Sequence, residues 1–210
     1  MDFKEMRDLF HIDGNIGFDK NEISRAVQLW GSLPSVLQEY YRQLGKHERL
    51  NRSQNFLLRP SELMDLGQYV AFYIENQDCV DWCIRKDDLA KDNPPVYCRT
   101  YNNEFALESE TLTDFLNGMA LFQAGSWGMT YASEDLYTIT EAQAEKIRQK
   151  YQKKKYELSQ WIHMSFYGNS RDEVILLMDN DDYDMTYGAE DEGRFEEMKK
   201  VMEEMGVEAY

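Results

Sequence analysis

In the stretch Tyr69-Val70-Ala71-Phe72-Tyr73-Ile74-Glu75-Asn76-Gln77-Asp78-Cys79-Val80-Asp81-Trp82-Cys83-Ile84-Arg85, two alternating runs flank a polar turn. Successive side chains of an extended chain point to opposite faces. Val70, Phe72 and Ile74 therefore share one face, and Ala71, Tyr73 and Glu75 share the other. Past the turn Val80, Trp82 and Ile84 share a face, opposite Cys79, Asp81, Cys83 and Arg85. The pattern predicts an antiparallel hairpin with Tyr73, Glu75 and Asp81 on its non-core face.

Outward from this hairpin, Val96 to Thr100 and Glu104 to Glu108 form a second one around Tyr101-Asn102-Asn103. Helix signals surround the pair. Asp19 and Glu22 have capping-box-like spacing, with Ile23, Val27 and Trp30 following at helical intervals. Pro34 suits a first turn, with Leu37, Tyr40, Tyr41 and Leu44 on one face and Gly45 as the stop. Thr111 and Asp114 open a helix carrying Leu112, Phe115, Leu116, Met119 and Phe122, ended by Gly125. Thr140 and Gln143 open a long helix with Ile147, Tyr151, Leu158, Trp161 and Ile162 as its apolar positions. In the tail, Val174 to Met178 reads as a buried strand, with Met185 to Tyr187 pairing across residues 179–184. Phe195, Met198, Val201, Met202 and Met205 mark a last helix ending at Gly206. Helices, a meander, then helices define an α+β fold: a twisted, largely antiparallel sheet of about five or six strands with helices packed on it. Residues 1–130 form the expected main domain and residues 131–210 a helix–strand–helix extension packed on it.

The chain has 210 residues, 42% hydrophobic and 13% aromatic, with only 4 Pro and 12 Gly. A chain of this length buries roughly 70% of its unfolded surface and needs no disulfide or metal to fold. Net charge is −16, of which −11 lies in residues 172–210. So acidic a protein repels phosphate backbones and anionic membranes, which argues against general nucleic-acid or membrane binding. The same field favours basic partners and speeds their capture. The basic run Lys146, Arg148, Lys150, Lys153, Lys154 and Lys155 reads as a solvated helix face or a dock for the acidic tail. Three cysteines and a start lacking a basic-then-apolar leader suggest reduced thiols in a cytoplasm. The longest aliphatic run, Val174 to Met178, is far short of a membrane span.

Chemistry-bearing patterns are sparse. Cys79 and Cys83 are four apart with no His near them, a poor zinc spacing. The acidic loop from Asp179 to Asp184 fails the EF-hand pattern in both registers, with Asp184 or Met185 where glycine belongs. His11, His47 and His163 have no motif spacing to Ser or Cys, and no phosphate-binding glycine loop or nucleophile elbow occurs. Among 39 acidic residues a glycosidase-like carboxylate pair always exists, so such pairs single out nothing. No cofactor and no metal is expected. Trp30, Trp82, Tyr40 and Tyr41 lie on apolar stripes and read as core, whereas Tyr73 reads as surface.

Leu33-Pro34-Ser35-Val36-Leu37-Gln38-Glu39-Tyr40-Tyr41-Arg42-Gln43-Leu44-Gly45 resembles the second-helix signature of the SUKH superfamily. Tyr69 to Gln77 is similar to that family's strand ending in Glu-Asn-Gln, and Trp82-Cys83-Ile84 to its Trp-x-Ile strand. Pro94-Pro95-Val96-Tyr97 resembles its Asp-Pro-Pro-Val-Tyr segment, with Asn93 in place of the Asp. The resemblance covers about residues 21–127. It implies a non-catalytic binding module, in bacteria typically an immunity protein that binds a cognate toxin. Toxin nucleases are usually basic because they bind phosphate. The expectation is therefore a cytoplasmic protein that occludes a basic toxin domain. Its expected contacts are Tyr73, Glu75 and Asp81 on the strand face and Asp181, Asp182 and Asp184 in the acidic loop. The alternatives are a regulatory scaffold in a signalling or cell-wall-synthesis pathway and, from another class, a carboxylate-pair hydrolase.

Overall fold

A computed structural model describes residues 3–179 and 183–207. The described chain is α+β and divides into two compact units. Phe3 and residues 13–116 form the first; residues 4–12, including α1 (Lys4–Phe10), join residues 117–207 in the second. The division falls at Leu116, earlier than the expected boundary near residue 130.

In the first unit, Asp19 caps α2 (Lys20–Trp30), its carboxylate accepting from Asn21 N at 2.9 Å and Glu22 N at 3.0 Å. Pro34 precedes α3 (Ser35–Leu44), as its fixed φ favours. Gly45 follows α3 with an ordinary negative φ. It is needed for space, because a Cβ there would stand 2.7 Å from the Phe18 ring. The orphan carbonyls at this helix end are taken by the loop before α2, with Ile16 N donating to Gln43 O and Phe18 N to Tyr41 O. A short α4 (Glu48–Arg52) leads into the sheet.

That sheet has six strands: β1 (Phe56–Leu57), β2 (Met64–Leu66), β3 (Tyr69–Ile74), β4 (Asp81–Arg85), β5 (Val96–Arg99) and β6 (Phe105–Ser109). β3 to β6 form an antiparallel meander, and β1 and β2 lie end to end along the outer edge of β3. Both predicted hairpins are present. The first turn of α5 (Leu112–Gln123) brings Phe115 onto the inner face. There its ring lies 5.5 Å from Phe72, 6.1 Å from Tyr73 and 5.9 Å from Trp82. Asn93 also acts on α5, its side-chain oxygen accepting from Thr113 N at 2.9 Å. An Asp at this position would supply the same acceptor.

The second unit has a sheet of its own: β7 (Tyr131–Ala132), β8 (Tyr137–Ile139), β9 (Lys153–Leu158), β10 (His163–Tyr167), β11 (Glu173–Asp179) and β12 (Tyr183–Ala189). β9 to β12 form another antiparallel meander, with β7 and β8 along the free edge of β12. The short strands flank the first meander strand in one sheet and the last in the other, so the units do not repeat the same topology. α6 (Glu141–Lys150) and α7 (Glu192–Glu204) cover one face, burying Ala144, Ile147, Met198 and Met202 with Ile175, Leu177 and Met185. Gly125, in the wide turn Ala124–Gly128, faces the other side, where a Cβ would stand 2.7 Å from Leu176 Cβ. β11 is thus buried on both faces, as its unbroken apolar run predicts.

One expected helix is corrected. The stripe through Leu158, Trp161 and Ile162 does not continue α6, which stops at Lys150. Residues 153–158 are β9, where Lys154, Tyr156 and Leu158 point inward and alternate with exposed Lys153, Lys155 and Glu157. Lysine is as common on helix surfaces as on protected sheet edges, so composition alone did not separate the two.

Candidate functional site

The expected contact residues of the first hairpin are not on the surface. Tyr73 is 0% exposed, Glu75 3% and Asp81 2%. For Tyr73 and Glu75 the cause is a bulge in β3; Asp81, on the regular strand β4, keeps its expected face and is buried there against Arg99. Ala71 pairs with Cys83, but Tyr73 pairs with Trp82, so the register slips by one residue between them. A one-residue slip turns the following side chains to the opposite face. Tyr73 thereby joins Trp82 inside, 6.2 Å ring to ring.

Glu75 closes the turn from within. Its Oε2 accepts from Gln77 N at 2.8 Å and from Cys79 N at 3.2 Å. Asp81 accepts from Arg99 Nε at 2.6 Å through Oδ2, while Oδ1 is buried with no hydrogen-bond partner among the described residues. Burial raises the Asp81 carboxyl above its ordinary value, against the opposing pull of Arg99. All three side chains are engaged within the unit, which corrects their placement as partner contacts. Of the acidic loop, Asp181 and Asp182 lie outside the described residues. Asp184 is half-buried on β12 and accepts from Thr138 Oγ1 at 2.9 Å.

The outer face of the first sheet carries other residues. Ahead of the bulge, cross-strand register places Tyr69, Ala71, Cys83, Arg85, Tyr97 and Leu107 on one side. Phe105, two residues before Leu107, shares that side. Tyr69 and Phe105 come from strands three apart, yet their rings stack 4.0 Å apart and 5° from parallel. Tyr97 meets Tyr69 edge-on at 5.4 Å. The sheet therefore curls over this face, and the rings roof the small side chains Ala71 and Cys83, both 0% exposed. Burial pushes the Cys83 thiol far up, so it is an inert packing group.

What faces water is a half-buried aromatic surface of Tyr69, Tyr97 and Phe105, beside Leu107 at 40% exposure. Tyr101, at the tip of the β5–β6 hairpin, is 80% exposed. Exposed carboxylates of Glu104 and Glu110 stand at the two ends of β6. Rigid aromatics inside a charged rim are the composition of protein-binding hot spots. Tyr69 falls on the non-core face by parity yet is not among the expected contacts, and Tyr97 and Phe105 belong to the second hairpin, whose faces the sequence reading leaves unassigned. The alternation of Tyr97 and Arg99 against Val96 and Cys98 was the signal that could have found Tyr97.

A Ser, an Asp and a His do meet in the second unit. Asp172 Oδ1 accepts from Ser170 Oγ at 2.6 Å, and Oδ2 lies 2.9 Å from His11 Nε2. Arg194 closes the cluster on Asp172 and Ser170. Burial would raise the Asp172 carboxyl, but Ser170, His11 and Arg194 together hold it below its ordinary value. In acyl transfer the imidazole stands between carboxylate and hydroxyl. Here the carboxylate stands between the other two, so His11 is not placed to take the Ser170 proton. The cluster is a clasp tying the end of α1 and the start of α7 to the β10–β11 turn. No group of three or more metal-ligating side chains gathers among the described residues. No described helix is long and apolar enough to cross a membrane. Comparison with family models, curated proteins and solved structures returned no match.

Proposed function

We propose that the chain is a non-catalytic protein-binding module, an immunity-type protein that neutralises a basic toxin domain in the cytoplasm. The observation supporting it is the Tyr69–Tyr97–Phe105 surface with flanking carboxylates, in a chain of net charge −16. The long-range field speeds encounter with a basic partner, and the aromatic surface supplies the short-range contact. Occlusion of the toxin's substrate cleft follows from covering a phosphate-binding surface with an acidic one. The resemblance of residues 33–45 and 69–97 to the SUKH pattern points the same way.

The test is affinity capture of the tagged protein from its source cells at low and high salt, read by mass spectrometry. The expected result is a stoichiometric basic partner, released by salt, that kills cells when expressed alone. Capture of a harmless endogenous regulatory enzyme, or of nothing, would overturn the reading; the former result would favour a regulatory scaffold.

A further inference from the structure

Within the second unit, α1, residues 117–121 and β9 enclose a cavity of about 380 Å³. Its wall is mostly apolar, Met6, Leu9, Ala120 and Leu121, with the buried amide of Asn117 among them. Its rim is not. Lys4, Lys154, Lys155 and Arg171 stand there against only Glu5 and Asp8. The local excess is positive, in a chain whose net charge is −16.

The rim charges are unevenly satisfied. Asp8 serves two cations, Lys4 at 2.6 Å and Arg171 at 3.1 Å. The Lys154 ammonium, half-buried, donates to the neutral carbonyl oxygen of Ser170. Burial lowers its pKa despite Glu173 and Asp172 nearby. A cation held partly out of water, with a carbonyl as its only direct partner among the described residues, is further stabilised by an arriving anion. The Tyr156 hydroxyl at the same rim is already engaged, accepting from Lys155 Nζ at 3.3 Å and bonded to the Glu5 carboxylate.

We propose that this cavity binds a small amphipathic carboxylate, its chain along Met6, Leu9 and Leu121 and its head group among Lys154, Lys155 and Arg171. The volume lies at the small end of ligand sites, which span roughly 300–1,000 Å³. Glu5 and Asp8 on the rim disfavour a doubly charged head group such as phosphate, so a single negative charge fits better. The inference is independent of the aromatic face of the first unit.

Isothermal titration of the full chain with octanoate tests it, with octanol and inorganic phosphate as separate arms. Octanoate should bind with one-to-one stoichiometry, octanol about tenfold more weakly or worse, and phosphate without saturation. Arg171→Gln and Lys155→Gln should each weaken octanoate by about three- to tenfold. Leu121→Trp should fill the cavity and abolish binding while far-UV circular dichroism is unchanged. Arg171 is exposed, so its variant decides the matter even where Leu121→Trp unfolds. Equal affinity for octanoate and octanol, saturation by phosphate alone, no octanoate binding, or unaltered affinity in Arg171→Gln would each overturn the proposal.

Discussion

Glu75→Ala separates a turn-closing role from a partner-contacting one. The wild-type carboxylate accepts two backbone hydrogen bonds, from Gln77 N and Cys79 N, across the β3–β4 turn. A bond to a charged group contributes about 1.5–3 kcal/mol net. Gln77 and Cys79 are exposed, so water replaces part of what their amides lose. About 1 kcal/mol per bond, or about 2 kcal/mol in all, is the resulting expectation. The backbone bonds Glu75 N to Val80 O and Asp78 N to Glu75 O remain, which keeps the hairpin formed. With an m-value of about 2 kcal/mol/M, the urea midpoint of the first unit should fall by about 1 M. Glu75→Gln retains one acceptor oxygen and should lose about half as much. Urea unfolding gives the midpoint, and amide exchange on peptides covering residues 69–85 localises the loss to this hairpin. Unchanged stability with weakened partner capture would refute the turn-closing role and restore Glu75 as a contact.

Three other perturbations have defined outcomes. Phe115→Ala removes the ring shared by Phe72, Tyr73 and Trp82 and should cost about 3–5 kcal/mol in urea unfolding; a loss below about 1 kcal/mol would mean these contacts are not core packing. Arg42, seconded by Gln43, holds the Glu39 carboxyl down from 4.5 to about 2 against the cost of burial. Its folded pKa is lower than its unfolded one, so its stabilisation is present above about 4.5 and lost as pH falls towards about 2. Glu39→Gln should flatten that acid limb, and an identical pH profile for the variant would contradict the assignment. Charge reversal at Asp181, Asp182 and Asp184 should slow partner association and reduce its salt dependence; unchanged rates at low salt would remove the acidic loop from the interface.

Much of the fold is written locally. Asp19, Thr111 and Thr140 each mark a helix start that the structure has, because a cap needs only the backbone amides a few residues on. The two hairpins follow from period-two runs around turn residues. β11 and β12 pair as expected, with Leu177 opposite Met185. What escaped depends on distant partners. The Ala71–Tyr73 bulge exists only relative to β4, so no alternation within β3 alone reveals it. The strand nature of residues 153–158 depends on pairing with β10. The curl that stacks Tyr69 on Phe105 involves four strands at once. The second sheet emerged because its meander runs through the lysine-rich segment that looked helical. Alternation carried past the bulge puts Tyr73 on the outer face, whereas the register places Tyr69, Tyr97 and Phe105 there.

The most direct measurement of the central claim is the affinity of the captured partner for Phe105→Ala beside wild type, by titration at two salt concentrations. Truncating a ring in the centre of the face should weaken binding at least about tenfold, that is by about 1.4 kcal/mol or more, at both salt concentrations. Unfolding midpoints should show the variant still folded. Wild-type affinity in a folded Phe105→Ala would mean that the partner engages some other surface, and the aromatic face would then be only the roof over Ala71 and Cys83.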